Sequence, residues 1–484
     1  MGGLSKKAYQ LEKIRRETTL PVLTVDGGRL LFKSPLLAPA EAEEAKATAL
    51  GIAEAYAIMG YDAVGIGAND LAAGPEFLAE TVRRTGLVWL SANLTRRSTG
   101  APLFPGYIVR QAGKLAVGII GLTAADAASL PADQDVVIKP WREVLLPIVE
   151  KLSKECDLLI LLTDNTQTEN QLIAKEMPAV HLLIQAFPSG ANLAPLQAGN
   201  TLLCQTAPQG KYLGWLQVDW QQSKSWGDND TARRLEEKKQ ELDGVEARLG
   251  RFRERLAVER LNADPGYREL LAYRQKLNTE IQELAKNLNR QQTAGSAPAT
   301  FKNSFIAMET SLPDEPRVRA VVEKTKQAIS KIGNRQTVAP LPGPADAFIG
   351  WQACVGCHST QASFWEKTRH ATAYRTLETK SQQHNQACLP CHVTAGPGPE
   401  NPSRPAASLL NLSSTLQVVG CEVCHGPSRA HVADPAAAPL PTRTVASDIC
   451  QHCHTPDHDD NFDYAVDRGR IACPAGQPAG KSSR

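Results

Sequence analysis

Four stretches of the chain read C-x-x-C-H: CVGCH at 354–358, CLPCH at 388–392, CEVCH at 421–425 and CQHCH at 450–454. Two thiols three residues apart, with an imidazole directly behind them, form the unit that attaches a c-type haem. The thiols add across the haem vinyl groups and the histidine ligates iron. The attaching pairs are then Cys354 and Cys357, Cys388 and Cys391, Cys421 and Cys424, and Cys450 and Cys453, with His358, His392, His425 and His454 as proximal ligands. A structural zinc site needs only four Cys or His ligands in a closed tetrahedron, which would leave the trailing histidines idle. A disulfide framework does not repeat in this form. Four covalent haem c groups are expected.

Of the five histidines left between 350 and 484, His370, His431, His384 and His458 are candidates for the distal side of the irons. His452 lies inside a C-x-x-C loop and is not expected to reach one. The four methionines, Met1, Met59, Met177 and Met308, all fall outside this region. His/Met ligation, which raises a haem potential, is therefore not offered from within it. The region is also poor in long apolar periodic segments, so haem planes must supply much of the surface that the loops bury.

The elements that would position these groups follow from pattern. With 484 residues the chain is long enough for several domains, and its formal charge of +2 contains no run that suggests a nucleic-acid surface. No stretch of about twenty apolar residues is present, so no transmembrane segment is expected. From about residue 20 to 220, short β-branched runs (PVLTVDGG, YDAVGIGA, LVWLSANL, KLAVGIIGLT, DLLILLTD, HLLIQAF, TLLCQTA) alternate with helical patterns. This predicts an α/β layered domain. Leu235, Leu242, Leu249 and Leu256 then fall seven apart. After NADPG at 262–266 the pattern resumes through Leu270, Leu277, Ile281, Leu284 and Leu288, giving a helical hairpin or short coiled coil that could also serve as an oligomer contact. A further helix is expected from about Pro316 to Ile332, opened by Asp314. The expected divisions are 1–225 for the α/β domain, 226–335 for the arm and helix, 336–349 for a linker, and 350–484 for a loop- and helix-rich multihaem domain.

The phrases GGLSKKAYQLEKIRRE, VLTVDGGRLLF, MGYDAVGIGANDLAAGPEFL, LSANL, PLFPGYIV and VGIIGLT resemble, in order, the calcineurin-like metallophosphoesterase domain of bacterial 5'-nucleotidases. In that family two metal ions, held by Asp, Asn and His at strand ends, polarise phosphate and generate hydroxide. Position by position the ligands are missing here. Arg29 follows Gly28 where the family has Asp, and Ala68 and Asn69 stand for the Asn and His ahead of an acidic residue, here Asp70. Asp164 replaces a histidine-bearing loop, and Ala186, Phe187, Pro188 and Ser189 replace Gly-His-x-His. Asp26, Asp70 and Asp164 remain as oxygen donors for one hard cation. His181, the only histidine before residue 350, is expected to be packed rather than ligating. The resemblance further implies a preceding strand with an Asp-x-His motif, so a truncated start that has lost a signal peptide is expected.

The segments ACVGCH, FWEKTRHATAY, ACLPCHVTAG, VGCEVCHGPSRAHV and ICQHCHTPDHDDNFDY resemble the tetrahaem cytochrome c family typified by the electron acceptor of hydroxylamine oxidoreductase. That resemblance implies closely packed haems, mostly bis-His, one of which lacks a sixth ligand in some members. Near the end IACP places Cys473 where the family has His-Pro, so a distal ligand is absent, replaced by thiolate, or drawn from elsewhere. The expected function is an exported cytochrome, periplasmic or extracellular, that carries electrons between redox partner proteins in a respiratory or nitrogen/sulfur chain, with an inactive phosphoesterase-like scaffold. The alternatives are a 5'-nucleotidase-like hydrolase fused to a cytochrome and a multihaem reductase with one open haem.

Overall fold

A computed structural model describes residues 3–124, 135–186, 192–227, 229–255, 264–293, 298–309, 311–335, 347–396, 406–438, 444–455, 458–459 and 462–474. The chain divides into two compact units, one of residues 6–35 and 59–313, the other of residues 1–5, 36–58 and 314–484.

The first unit is an α/β layered fold. Strands β1 (Val25–Asp26), β2 (Ala63–Gly65) and β3 (Trp89–Leu90) form a small parallel sheet, and β4 (Leu94–Thr95) pairs with β7 (Val137–Ile138). A six-stranded sheet contains β5 (Tyr107–Ala112), β6 (Leu115–Leu122), β8 (Leu158–Thr163), β9 (Leu182–Gln185), β10 (Leu193–Ala198) and β11 (Thr201–Gln205), in the order β10-β11-β9-β8-β6-β5. Its four inner strands run parallel and its two edges antiparallel.

Strand alternation explains the layers, because successive side chains point to opposite faces. Leu158, Ile160 and Leu162 of β8 join Val117, Ile119, Ala63 and Leu90 in one core, so the two sheets share it. Leu159 and Leu161 join Ile120, Leu122 and the buried face of helix Trp141–Glu155 (Trp141, Leu145, Val149, Leu152) in another. Strand β8 is buried along its whole length and reads as a continuous apolar run for that reason. At Gly121 a Cβ would lie 2.1 Å from the carbonyl oxygen of Leu90, so only glycine lets β6 approach β3 this closely.

Two further strands were not foreseen from pattern. β12 (Tyr212–Asp219) and β13 (Thr300–Ala307) pair antiparallel along their full length, from Tyr212 opposite Ala307 to Asp219 opposite Thr300. Between them run helices Asn229–Arg255 and Pro265–Thr293. These helices are antiparallel: Lys238 pairs with Glu280 at 3.2 Å and Arg274 with Glu246 at 3.4 Å. Val245, Leu249, Tyr267 and Leu277 form their shared core, with Leu242, Phe252 and Leu270 against it. Leu256 and residues 262–263 of the expected turn lie outside the described residues.

The arm is thus an insertion in a β-hairpin of the first unit. The helix that follows it, Pro316–Arg335, falls in the second, so the expected segment 226–335 is shared between the units. Glu315, not Asp314, caps that helix, accepting from the Val318 amide at 2.7 Å, while Asp314 accepts from the Ser5 hydroxyl at 2.5 Å. Helix Ala42–Met59 packs closely on it, since a Cβ at Gly51 would sit 2.2 Å from Thr325 Oγ1. Beyond residue 350 the second unit consists of one- and two-turn helices joined by loops. Among the described residues there, the apolar cluster of Leu377, Leu389, Val393 and Leu409 is small beside those of the first unit. Among the described residues no helix is long and apolar enough to cross a membrane.

Candidate functional site

Each C-x-x-C-H motif folds as a helical turn. The His358 amide donates to the Cys354 carbonyl at 2.9 Å, and the His454 amide to the Cys450 carbonyl at 2.9 Å. Residues Cys421–His425 and Leu389–His392 are themselves helical. Positions i, i+3 and i+4 share one helix face, so each turn presents two thiols and an imidazole to the same side. This is why the spacing works for a planar macrocycle attached at its edge and ligated at its centre.

The second ligand side is set by tertiary packing. The rings of His358 and His431 lie with centroids 6.4 Å apart at an interplanar angle of 29°, and those of His370 and His454 lie 6.2 Å apart at 60°. Two imidazoles on opposite sides of one metal, with bonds of about 2 Å and ring nitrogens about 1.1 Å from the ring centres, have centroids about 6.2 Å apart. Both pairs have the centroid spacing that a single metal between them would require. A ligating imidazole donates its other N–H to a fixed acceptor, and three of the histidines have one. Nδ1 of His392 faces the Ala373 carbonyl at 2.8 Å, Nδ1 of His431 the Ala438 carbonyl at 2.8 Å, and Nδ1 of His454 the Asp459 carboxylate at 2.7 Å. Each contact leaves Nε2 for a metal. Burial, then the neighbouring His454, holds the His370 pKa below its ordinary value.

The other two distal candidates are placed differently. His384 has its backbone against Gly333 and is half-buried, which lowers its pKa. Nδ1 of His458 meets the Thr455 hydroxyl at 2.9 Å. Among the described residues neither has another imidazole across from it.

The thiols of different motifs meet. Cys354 lies against Cys421 and Cys391 against Cys453, and the shared hydrogen bond, followed by burial, raises the pKa of Cys421 and of Cys453. Burial pushes Cys424 up to about 11, with Cys450 and Cys473 adding to the rise. Cys473 is exposed and bears on both thiols of the third motif. Among the described residues no three Cys, His, Asp or Glu side chains converge as a metal shell of protein ligands would.

Sequence reasoning missed Glu422, the residue after the first cysteine of the third motif. Its buried carboxylate accepts from the amides of Ile349 at 3.1 Å, Gly350 at 2.8 Å and Ser428 at 2.9 Å, tying the start of the haem-motif region to the third attachment turn. Two of its donors lie more than seventy positions away, so no local pattern could have announced it.

In the α/β unit, the residues at the expected metal positions bond to protein. Asp70 accepts from the amides of Arg29, Leu31 and Gly67 at 2.9, 2.8 and 2.9 Å. Asp164, at the carboxyl end of β8, accepts from Ala68 and Ala124 amides and from Arg29 Nε at 3.2 Å. Asp26 accepts from the Gly28 amide at 3.1 Å, and Asn69 donates to the carbonyls of Phe32 and Lys33. His181 is buried edge-on against Trp220, its Nδ1 accepting from the Leu159 amide, and burial drives its pKa down to about 4. Ala186 directly follows β9, and Phe187, Pro188 and Ser189 lie outside the described residues.

Comparison with known proteins agrees with this division. Residues 353–426 match the family of cytochrome c554 and c-prime. Over 101 residues the chain is 33% identical to cytochrome c-554 of Nitrosomonas europaea, a match covering 18% of this chain and 41% of that protein. Over 224 residues it is 25% identical to protein UshA of Escherichia coli, covering 44% of this chain and 39% of that one. The chain thus spans about two fifths of the length of each of these curated relatives. Among solved structures, a 5'-nucleotidase precursor from Thermus thermophilus aligns with a TM-score of 0.45 and 16% identity, over 70% of this chain and 55% of that one. The C-terminal part is similar to the cytochrome c554 family, and the N-terminal part resembles the 5'-nucleotidase and calcineurin-like phosphoesterases.

Proposed function

We propose that this chain is an exported four-haem c-type cytochrome that passes single electrons between redox partner proteins. The observation that carries the reading is the pair of imidazole couples, His358 with His431 and His370 with His454, each spaced for one iron. Haem supplies the one-electron chemistry, and the chain supplies attachment, axial nitrogen and spacing. Attachment falls to Cys354, Cys357, Cys388, Cys391, Cys421, Cys424, Cys450 and Cys453. His358 and His431 ligate the first haem and His454 and His370 the fourth, while His392 and His425 are proximal ligands of the second and third. Contacts between Cys354 and Cys421 and between Cys391 and Cys453, with Cys450 close enough to Cys424 to raise its pKa, support short edge-to-edge transfer in the order first, third, fourth, second. Histidine ligation without methionine supports potentials toward the low end of the c-type range. Because covalent attachment of haem c is completed after export, the site of action is the periplasm or beyond it.

The α/β unit, in this reading, is a scaffold or partner-docking surface that does not hydrolyse phosphoesters. The support is Arg29, whose guanidinium pairs with the buried Asp164 where a catalytic cation would need that carboxylate.

The test is a pyridine-haemochrome assay with intact mass on protein secreted from a host that carries haem-attachment machinery. Four haems per chain are expected; bound zinc and no haem would overturn the proposal. Assay of the same protein with nucleoside monophosphates and Mn²⁺ should give no turnover, and metal-dependent release of phosphate would remove the scaffold assignment.

A further inference from the structure

We infer that Asp459 tunes the fourth haem, drawing on the Nδ1 proton of His454 so that this iron is harder to reduce than it would be with a neutral acceptor. The inference rests on the proposed ligation of that iron by His454.

The geometry isolates this contact. Among the described residues the Nδ1 atoms of His392 and His431 face backbone carbonyls and that of His458 faces a hydroxyl, whereas His454 faces a carboxylate at 2.7 Å. A hydrogen bond to an ionised acceptor is roughly twice as strong as one between neutral groups. It shifts electron density onto the imidazole, raises its basicity toward iron and favours the ferric state. The remaining contacts hold the ring so that the effect is delivered at a fixed angle. Phe462 stacks on it at 4.8 Å and 20°, and His370 stands across at 6.2 Å.

Asp459 is placed by the turn that leaves the fourth motif. Its amide donates to the Thr455 carbonyl at 2.8 Å, and its own carbonyl accepts from the Phe462 amide at 3.4 Å. The carboxylate and the ring that stacks on His454 therefore arrive from one short segment. With side-chain exposures of 37% and 38%, the His454–Asp459 pair is open enough to water that simple charge attraction is screened. The directional hydrogen bond is the part that persists. Asp459 is a positioning and tuning residue, acting through His454.

The experiment is a spectroelectrochemical titration of the fully assembled protein and of Asp459→Asn and Asp459→Glu. In the Asn variant four haems are retained, and one component shifts about tenfold toward the ferrous form at fixed potential, about 59 mV for one electron. The other three stay in place, and Glu returns the component toward the parent value. Unchanged curves, or an equal shift in all four, overturn the inference. Should the Asn variant assemble fewer haems, Asp459→Ser, which keeps a neutral oxygen in a smaller side chain, is titrated instead and should move the same component in the same direction. Haem loss in both variants also overturns the inference, because a tuning residue is dispensable for attachment. His454→Met separates the two layers of the argument. If it leaves every haem spectrum unaltered, the ligation itself fails; if it alters or removes one haem while Asp459→Asn shifts nothing, only the tuning role fails.

Discussion

Arg29 has a φ of 55°, in the left-handed region that few non-glycine residues adopt, and two acids hold it there. Its amide donates to Asp70 and its Nε to Asp164, so a fixed cation and a strained backbone stand between two buried carboxylates. Burial pushes the Asp70 pKa from 3.8 up to about 7 despite three backbone donors. The folded state therefore holds this proton more tightly than the unfolded chain, and the stability it contributes is present below about pH 4 and lost as pH rises through about 7. Urea unfolding of the α/β unit across that range should show stability falling with pH from this group, and Asp70→Asn should flatten the fall. An identical slope in both proteins would reject the assignment. At this scale the residue types at the expected metal positions were legible, because they can be read along the chain phrase by phrase. That the Arg29 side chain reaches Asp164, 135 positions on, was not.

The helical arm shows how an element can be read correctly while its attachment is missed. Leucines seven apart announce a helix whose stripe needs a partner, and Leu249 and Leu277 are buried in the hairpin core. Strand β13 carried no comparable signal: its inward positions Phe301, Asn303 and Phe305 alternate with exposed neighbours, but Asn303 interrupts the apolar pattern. It becomes a strand by pairing with β12, whose register holds across the insertion. Replacing residues 229–297 by a short glycine-containing turn should therefore leave the α/β unit folded, with its thermal midpoint close to that of the parent. Loss of its cooperative transition would show that the arm is required for that fold.

At the scale of the whole molecule, the two units are stabilised by different means. The α/β unit has two extensive apolar cores, whereas among the described residues beyond 350 there is one cluster of four buried apolar residues, with polar clamps such as Glu422, and Thr394, whose hydroxyl joins the Val418 carbonyl to the Gly420 amide. So small a core falls short of the ordering entropy of such a region, and the haems must make up the difference. Protein made without haem attachment should be cut by trypsin throughout 350–474 while the α/β unit resists, and holo-protein should resist in both. Equal resistance of the haem-free chain would show that the region folds on its own side chains.

What the sequence determined by itself was the chemistry that depends on neighbours along the chain. Thiols and an imidazole at i, i+3 and i+4 share a face in any helical turn, so the common direction of the three groups in each motif could be read from spacing alone. The same holds for the apolar run of β8 and the heptads of the arm, which report one element's own periodicity. Only the tertiary structure decided which histidine stands opposite which. His431 lies seventy-three positions from His358, and His454 eighty-four from His370. No periodicity links such residues. Their 6.4 and 6.2 Å spacings arise from how short helices and loops pack, and the meeting of Arg29 with Asp164 from how strand ends come together in the α/β unit.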